Sequence, residues 1–174
     1  MKLPVINGII KRRILVNFRV EAEVIQRQLP SKFRPKLHDG MAIAGICLIR
    51  MEKIRPKFLP AIFGISSENA AHRIAVVWED DAGATKEGVF IPRRDTGSRL
   101  NALAGGRLFP GEHHLAHFEI CEANDDFSLK MKSEDGKVHL SVSGILANDL
   151  PPSSGFSSVD DASHFLNRDQ LDSQ

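Results

Sequence analysis

The feature that most restricts how this chain can fold is an apolar alternation with a period of two that returns in segment after segment. Successive side chains of a strand point to opposite faces, so such a pattern suits a sheet with one packed face and one polar face. Over residues 14–20, Ile14, Val16, Phe18 and Val20 share one face, and Asn17 and Arg19 occupy the other. Phe127, Leu129 and Met131 alternate with Ser128, Lys130 and Lys132, and Val138, Leu140 and Val142 alternate with His139, Ser141 and Ser143. Asp135-Gly136 lies between these two runs and suits a tight turn, which predicts a hairpin. Residues 41–51 and 74–78 are apolar on both faces and read as central strands. The second of these meets residues 86–91 across the polar cluster 80–84, predicting another hairpin. Residues 114–121 add a strand with Ala116, Phe118 and Ile120 on one side.

Helices are expected to be few and short. Residues 21–29 place Ala22, Ile25 and Leu29 on one face and stop at Pro30. Asp95 or Thr96 would cap a helix reaching about Ala104, with Leu100 and Leu103 inward and Gly105-Gly106 as the stop. Ser158-Val159-Asp160-Asp161 matches a capping box, followed by a stripe of Ala162, Phe165 and Leu166. Residues 151–155 read as a loop. The expected architecture is one mainly β, antiparallel domain over residues 1–174, as a barrel or two packed sheets. No Gly-x-Gly-x-x-Gly follows a strand, which disfavours a dinucleotide fold, and no cofactor is expected.

Composition narrows the partners. Lys and Arg number 23 against 22 Asp and Glu, a net charge of +1, so the basic excess of a nucleic-acid binder is missing. With 42% hydrophobic and 26% charged residues, the chain has a globular rather than a disordered composition. No run reaches the ~18 apolar residues of a membrane span, and the N-terminus lacks a cleavable signal pattern, so the expectation is a cytoplasmic chain without membrane contact. Cys47 and Cys121 sit in apolar strand contexts and read as buried free thiols, with a cross-sheet pairing as the alternative.

The most chemically loaded segment is Ile91-Pro92-Arg93-Arg94-Asp95. Pro92 is expected to end a strand, so that Arg93 and Arg94 emerge at the turn beside a helix start, with Arg99 close by. Guanidiniums and helix N–H groups together suit a carboxylate or phosphate. The alternative is surface pairing of these arginines with Asp95, Glu79 or Glu68. Glu68, Asn69 and His72 lead into a central strand and are candidates for lining the same cavity, with Glu68 as a proton-transfer group; the alternative is that Glu68 and Asn69 cap a turn. Of the histidines 113, 114 and 117, the first and last share a strand face while His114 points away, so a metal site is not expected. Ser98 lacks the nucleophile-elbow context of a triad.

The run Lys86-Glu87-Gly88-Val89-Phe90-Ile91-Pro92-Arg93-Arg94 resembles the Gly-Phe-Pro-Lys-Lys segment of acetoacetate decarboxylases. Together with residues 29–37, 45–50, 66–76 and 91–111, it is similar to a branch of the acetoacetate decarboxylase-like superfamily known as a domain of unknown function. The resemblance implies a cone-like antiparallel β-barrel wrapped by further strands, with a pocket inside the cone. It also implies that Arg93 and Arg94 stand where the decarboxylases carry two lysines, the first forming a Schiff base with the substrate ketone. Imine formation needs a neutral amine, and a guanidinium is always protonated. Two readings stay open: a binder of a small anionic or carbonyl-bearing molecule, with any lyase-like activity on a small carboxylate proceeding without an imine, or a non-catalytic binding or interaction module. Relatives continue with more strands after the helix matching residues 158–166, so either this member is short or the chain is C-terminally incomplete; missing strands would leave exposed sheet edges that favour a homodimer.

Overall fold

A computed structural model of the chain describes residues 5–104 and 112–167. The elements follow in the order β1 (Ile6–Val20), α1 (Ala22–Gln26), β2 (Arg34–Pro35), β3 (Leu37–His38), β4 (Met41–Pro56), β5 (Ile65–Glu79), β6 (Thr85–Thr96), α2 (Arg99–Ala104), β7 (Glu112–Ala123), β8 (Asp126–Ser133), β9 (His139–Ile145) and α3 (Val159–Asn167). The strands line up as β1-β4-β5-β6-β7-β8-β9, with β2 paired to β5 and β3 to β4. The fold is mainly β, as the alternation predicts. No helix among the described residues is long and apolar enough to cross a membrane.

One pairing departs from the antiparallel expectation. Strands β6 and β7 run parallel, in the register Arg93↔Glu112 through Thr96↔Leu115. Parallel neighbours need a crossover instead of a tight turn, and the connection containing α2 supplies it. Pro92 does not end β6, which continues to Thr96. Proline forfeits its own N–H, but its fixed φ is compatible with extended backbone. Arg93 and Arg94 are therefore strand residues rather than turn residues. The cap of α2 moves accordingly: Ser98 Oγ, not Asp95 or Thr96, accepts from the Asn101 backbone N–H at 3.3 Å.

The chain divides into two compact units. The first comprises Met1–Val16, Ile46–His72 and Pro92–Leu146, and the second Asn17–Gly45, Arg73–Ile91 and Ala147–Gln174. Each has its own apolar core. In the first, Leu48, Ala70, Ala116, Leu129 and Met131 are buried, with Ile14, Val16, Phe118, Ile120, Val138, Leu140 and Val142 packed on them. Register explains why these residues meet. Phe118 pairs with Met131 and Ile120 with Leu129 across β7 and β8, and Leu129 pairs with Val142 and Met131 with Leu140 across β8 and β9. Alternate residues of three adjacent strands thus form apolar rows on one face. The hairpin turn predicted around Asp135-Gly136 is present, with Gly136 at φ 69°. Only glycine takes that backbone region without a Cβ penalty.

In the second unit, Ile25, Ala42, Ile74 and Val76 are buried. Phe33 packs edge-on to Trp78 at 5.6 Å and against Phe90 at 5.5 Å. Half of the expected capping box of α3 forms, the Asp161 backbone N–H donating to Ser158 Oγ at 3.0 Å, while the Asp161 carboxylate accepts from the Ser157 backbone N–H at 3.0 Å. Phe165 of α3 then packs against the His38 ring.

Several expectations for single residues are corrected. Phe18 is exposed, so the β1 alternation does not carry all four apolar residues into a core. Helix α1 is five residues long and buries Ile25 alone. Both cysteines are free, but Cys121 is exposed. Leu100 is 61% exposed, because α2 begins at Arg99 and presents it outward. The Gly105-Gly106 stop and the side chains of Leu103 and Leu166 lie outside the described residues. These differences set a test. Leu129→Ala, at a site only 1% exposed, is expected to cost about 2–5 kcal/mol in urea denaturation. Leu100→Ala is expected to stay within about 0.5 kcal/mol of the parent.

Candidate functional site

Strand β5 places Glu68, Ala70 and His72 on one face and Ser67 and Asn69 on the other, because its side chains alternate. Ala70 belongs to the core of the first unit. The Glu68 face therefore has an apolar middle, with charged groups on either side of it along the strand.

Beside Glu68, two arginines and two glutamates close a ring. Arg12 Nη2 donates to Glu68 Oε2 at 2.7 Å, and Arg50 Nε donates to Glu68 Oε1. Arg12 Nη1 donates to Glu122 Oε1, and Arg50 Nη1 donates to Glu122 Oε2 at 3.2 Å. The Arg12 guanidinium also lies over the Phe127 ring, 5.0 Å from its centroid. Arg12 Nε is buried and has no hydrogen-bond partner among the described residues. Burial is the largest influence on Arg12 and, with the neighbouring charge of Arg50, lowers its pKa; the charge and hydrogen bond of Glu68 oppose that. The group remains a cation at working pH.

On the other side of Ala70, Asp95 is fully buried, at 0% exposure. His72 Nε2 donates to Asp95 Oδ2 at 2.7 Å, and Arg93 Nη2 donates to Asp95 Oδ1 at 2.7 Å. Arg93 also clasps Asp135, with Nη1 to Oδ2 at 2.8 Å and Nη2 to Oδ1 at 3.0 Å. Hydrogen bonds donated to Asp95 and then to Asp135 raise the Arg93 pKa above its ordinary value. Burial pushes the Asp95 carboxyl upward, but the hydrogen bonds and charges of His72 and Arg93 outweigh it and leave its pKa lowered. Asp135 is held well below the usual carboxylate range, chiefly by Arg93.

The remaining predicted residues lie elsewhere. Arg94 follows Arg93 on the strand and so points to the opposite face, where it is half-buried; burial lowers its pKa against the influence of Cys47. Asn69 Nδ2 donates to Ser67 Oγ at 2.9 Å, and Asn69 Oδ1 accepts from Thr96 Oγ1 at 2.8 Å. Asn101 Nδ2 reaches the same Ser67 Oγ at 3.0 Å, so Asn69 belongs to a network that fastens α2 to β5 and β6. Arg99 is exposed at the start of α2. The residues expected to share one pocket are thus divided. Glu68, His72 and Arg93 keep one face, and Asn69 and Arg94 take the other.

Arg12, Arg50 and Glu122 were not singled out by the sequence reading. The signal for them is a charge in phase with core positions: Arg12 stands two before Ile14, Arg50 two after Leu48, and Glu122 two after Ile120. Strands β1, β4 and β7 thus each deliver a charged side chain to the face that also carries their core residues. Among the histidines, His114 Nδ1 lies 3.4 Å from Asp135 Oδ2, and His117 is exposed near Glu134. No group of three or more His, Cys, Asp or Glu able to hold a metal occurs among the described residues.

The arrangement can seat a carboxylate between Arg12 and Arg50, or polarise a carbonyl oxygen there. The His72–Asp95–Arg93 chain holds an imidazole at a fixed angle. It also sets a pH test. A carboxyl whose folded pKa is depressed contributes stability that is present above its unfolded value of about 3.9 and is lost as pH falls from there through the folded value. The stability gap between wild type and Asp95→Asn is therefore expected to be widest at neutral pH and to narrow below about pH 4, measured by urea titration across that range.

The match to known proteins agrees with this fold. Residues 10–168 match the family DUF2071, described as an uncharacterized conserved protein. No curated protein matches. Among solved structures, an acetoacetate decarboxylase from Legionella pneumophila subsp. pneumophila str. Philadelphia 1 is similar with a TM-score of 0.59 and 18% identity, over 84% of this chain and 52% of that one. An acetoacetate decarboxylase-like enzyme from Sphingomonas wittichii RW1 is similar with a TM-score of 0.56 and 13% identity, over 80% of this chain and 57% of that one. The chain thus spans little more than half the length of these solved chains. It belongs to the DUF2071 family and has the acetoacetate decarboxylase-like fold.

Proposed function

We propose that this chain binds a small anionic or carbonyl-bearing molecule on the Glu68 face of its first unit, without Schiff-base chemistry. The observation that carries the reading is the convergence of the Arg12 and Arg50 guanidiniums on the partly open carboxylate of Glu122. Two cations on the packed face of a sheet, aimed at one anion, have the geometry of a carboxylate seat. The anchoring role assigned from sequence to Arg93 passes to this pair, because the partners of Arg93 are a fully buried Asp95 and a turn-bound Asp135, whereas the Glu122 side chain is 40% exposed. Arg94, Asn69 and Arg99 stand off this face and would act on a ligand only indirectly.

The chemistry of the groups argues against an imine. Neither cluster contains a lysine, and a guanidinium does not offer the neutral amine that a Schiff base requires. Glu68 and His72 are the groups in these clusters suited to proton transfer, as a lyase-like reaction on a small carboxylate would need. A non-catalytic module is the second reading, favoured by the fact that both clusters pair their charges internally.

Two measurements test this. In titration calorimetry with acetate, pyruvate and acetoacetate, wild type is expected to bind at least one of them. Arg50→Gln is expected to lose about tenfold or more in affinity, the scale of one charged hydrogen bond, while Arg50→Lys retains part of it. Incubation with acetoacetate and borohydride is expected to leave the protein mass unchanged, and a reduced adduct would defeat the non-imine reading.

A further inference from the structure

The two carboxylates of the arginine ring are not equivalent. Glu68 lies on β5, inside the strand order, with its side chain 16% exposed. Glu122 is the second-last residue of β7, next to the turn into β8, and its side chain is 40% exposed. Both accept from the same two arginines, but the bonding differs. Glu68 takes Arg50 through Nε, whereas Glu122, among the described residues, is held by the outer Nη1 nitrogens of Arg12 and Arg50, one on each oxygen. Glu122 thus bridges the two guanidiniums as a free carboxylate would, and it does so from the solvent side.

Resting on the proposed anion-binding function, we infer that Glu122 is a resident competitor for the site and that a ligand carboxylate enters by exchange with it. The charge balance supports this. Two guanidiniums and two carboxylates make the ring neutral, so an additional anion would leave it with an excess negative charge in a partly desolvated place. Replacing Glu122 by a ligand carboxylate keeps the balance at two and two. The displaced Glu122 swings into water, where its charge is solvated, whereas release of the more buried Glu68 would strip two cations of their inner counter-ion. Glu68 is therefore the permanent partner and Glu122 the exchangeable one.

Exchange has two consequences. Affinity for small carboxylates is reduced by the fraction of time that Glu122 occupies the seat. Discrimination also follows from charge. A carboxylate can replace Glu122 on both arginines, while a neutral ketone offers one weak acceptor and cannot.

Calorimetry on the whole chain with acetate, pyruvate and acetone tests this, comparing wild type, Glu122→Gln and Glu122→Ala. The expected result is at least tenfold tighter acetate or pyruvate binding in both variants, with acetone binding unimproved. Thermal melting of each variant verifies that it is folded, and the second substitution guards against loss of one. If the variants bind a carboxylate no tighter than a wild type that does bind it, the exchange is overturned while the anion-binding function stands. Weaker binding in the folded variants would make Glu122 part of the seat and would also overturn exchange. Absence of carboxylate binding in wild type and variants alike would remove the function and the exchange together.

Discussion

Charge placed on the packed face of a sheet has to find counter-charge on that face, and much of the first unit is organised by this requirement. Arg12 and Arg93 both have side chains only 15% exposed. An isolated buried cation is costly, and a counter-charge on the same face offsets much of that cost. Arg12 draws in Glu68 and Glu122, with Phe127 beneath it; Arg93 draws in Asp95 and Asp135. The pairings with Glu68, Glu122 and Asp135 tie together segments that are far apart in sequence. Arg12 and Glu122 are separated by 110 residues, and Arg93 and Asp135 by 42.

The same requirement changes what the arginine pair on β6 means. Arg93 holds Asp95, which is fully buried, and Asp135, which is bound into its own turn, so Arg93 is a tie between a strand and the β8–β9 turn. Asp135 serves both sides of that tie. It accepts from Ser133 Oγ at 2.6 Å and from the Lys137 backbone N–H at 3.1 Å, holding the turn, while its oxygens take Arg93. The anion-seeking geometry lies instead at Arg12 and Arg50, where one of the two carboxylates remains accessible. On the proposed reading, the place of a ligand depends less on which residues are cationic than on which cations hold an exchangeable partner.

Much of the fold was legible because the alternation is strict. Phe127, Leu129 and Met131 against Val138, Leu140 and Val142 require two strands with a common face, and the Asp-Gly pair between them requires a turn. The pattern could not reveal direction of pairing. Strands β6 and β7 each look like any half-buried strand, and their parallel arrangement follows from the crossover containing α2. Pro92 misled for a related reason: proline predicts a lost hydrogen bond, but whether that loss ends a strand depends on what lies opposite its nitrogen. Leu100 looked like a core residue because Asp95 or Thr96 would start the helix two or three residues earlier than Ser98 does.

By itself, the sequence determined a mainly β chain with its core on alternate strand positions, because side-chain period and burial are coupled locally by the pleat. It also determined that the β6 pair is guanidinium rather than amine, which bears on the available chemistry whatever the fold. Only the tertiary structure decided which charges meet. Arg12, Arg50, Glu68 and Glu122 come from four different strands, and their encounter depends on strand order and register rather than on any local spacing. Period two states that a side chain faces the core; it does not state which side chain waits there.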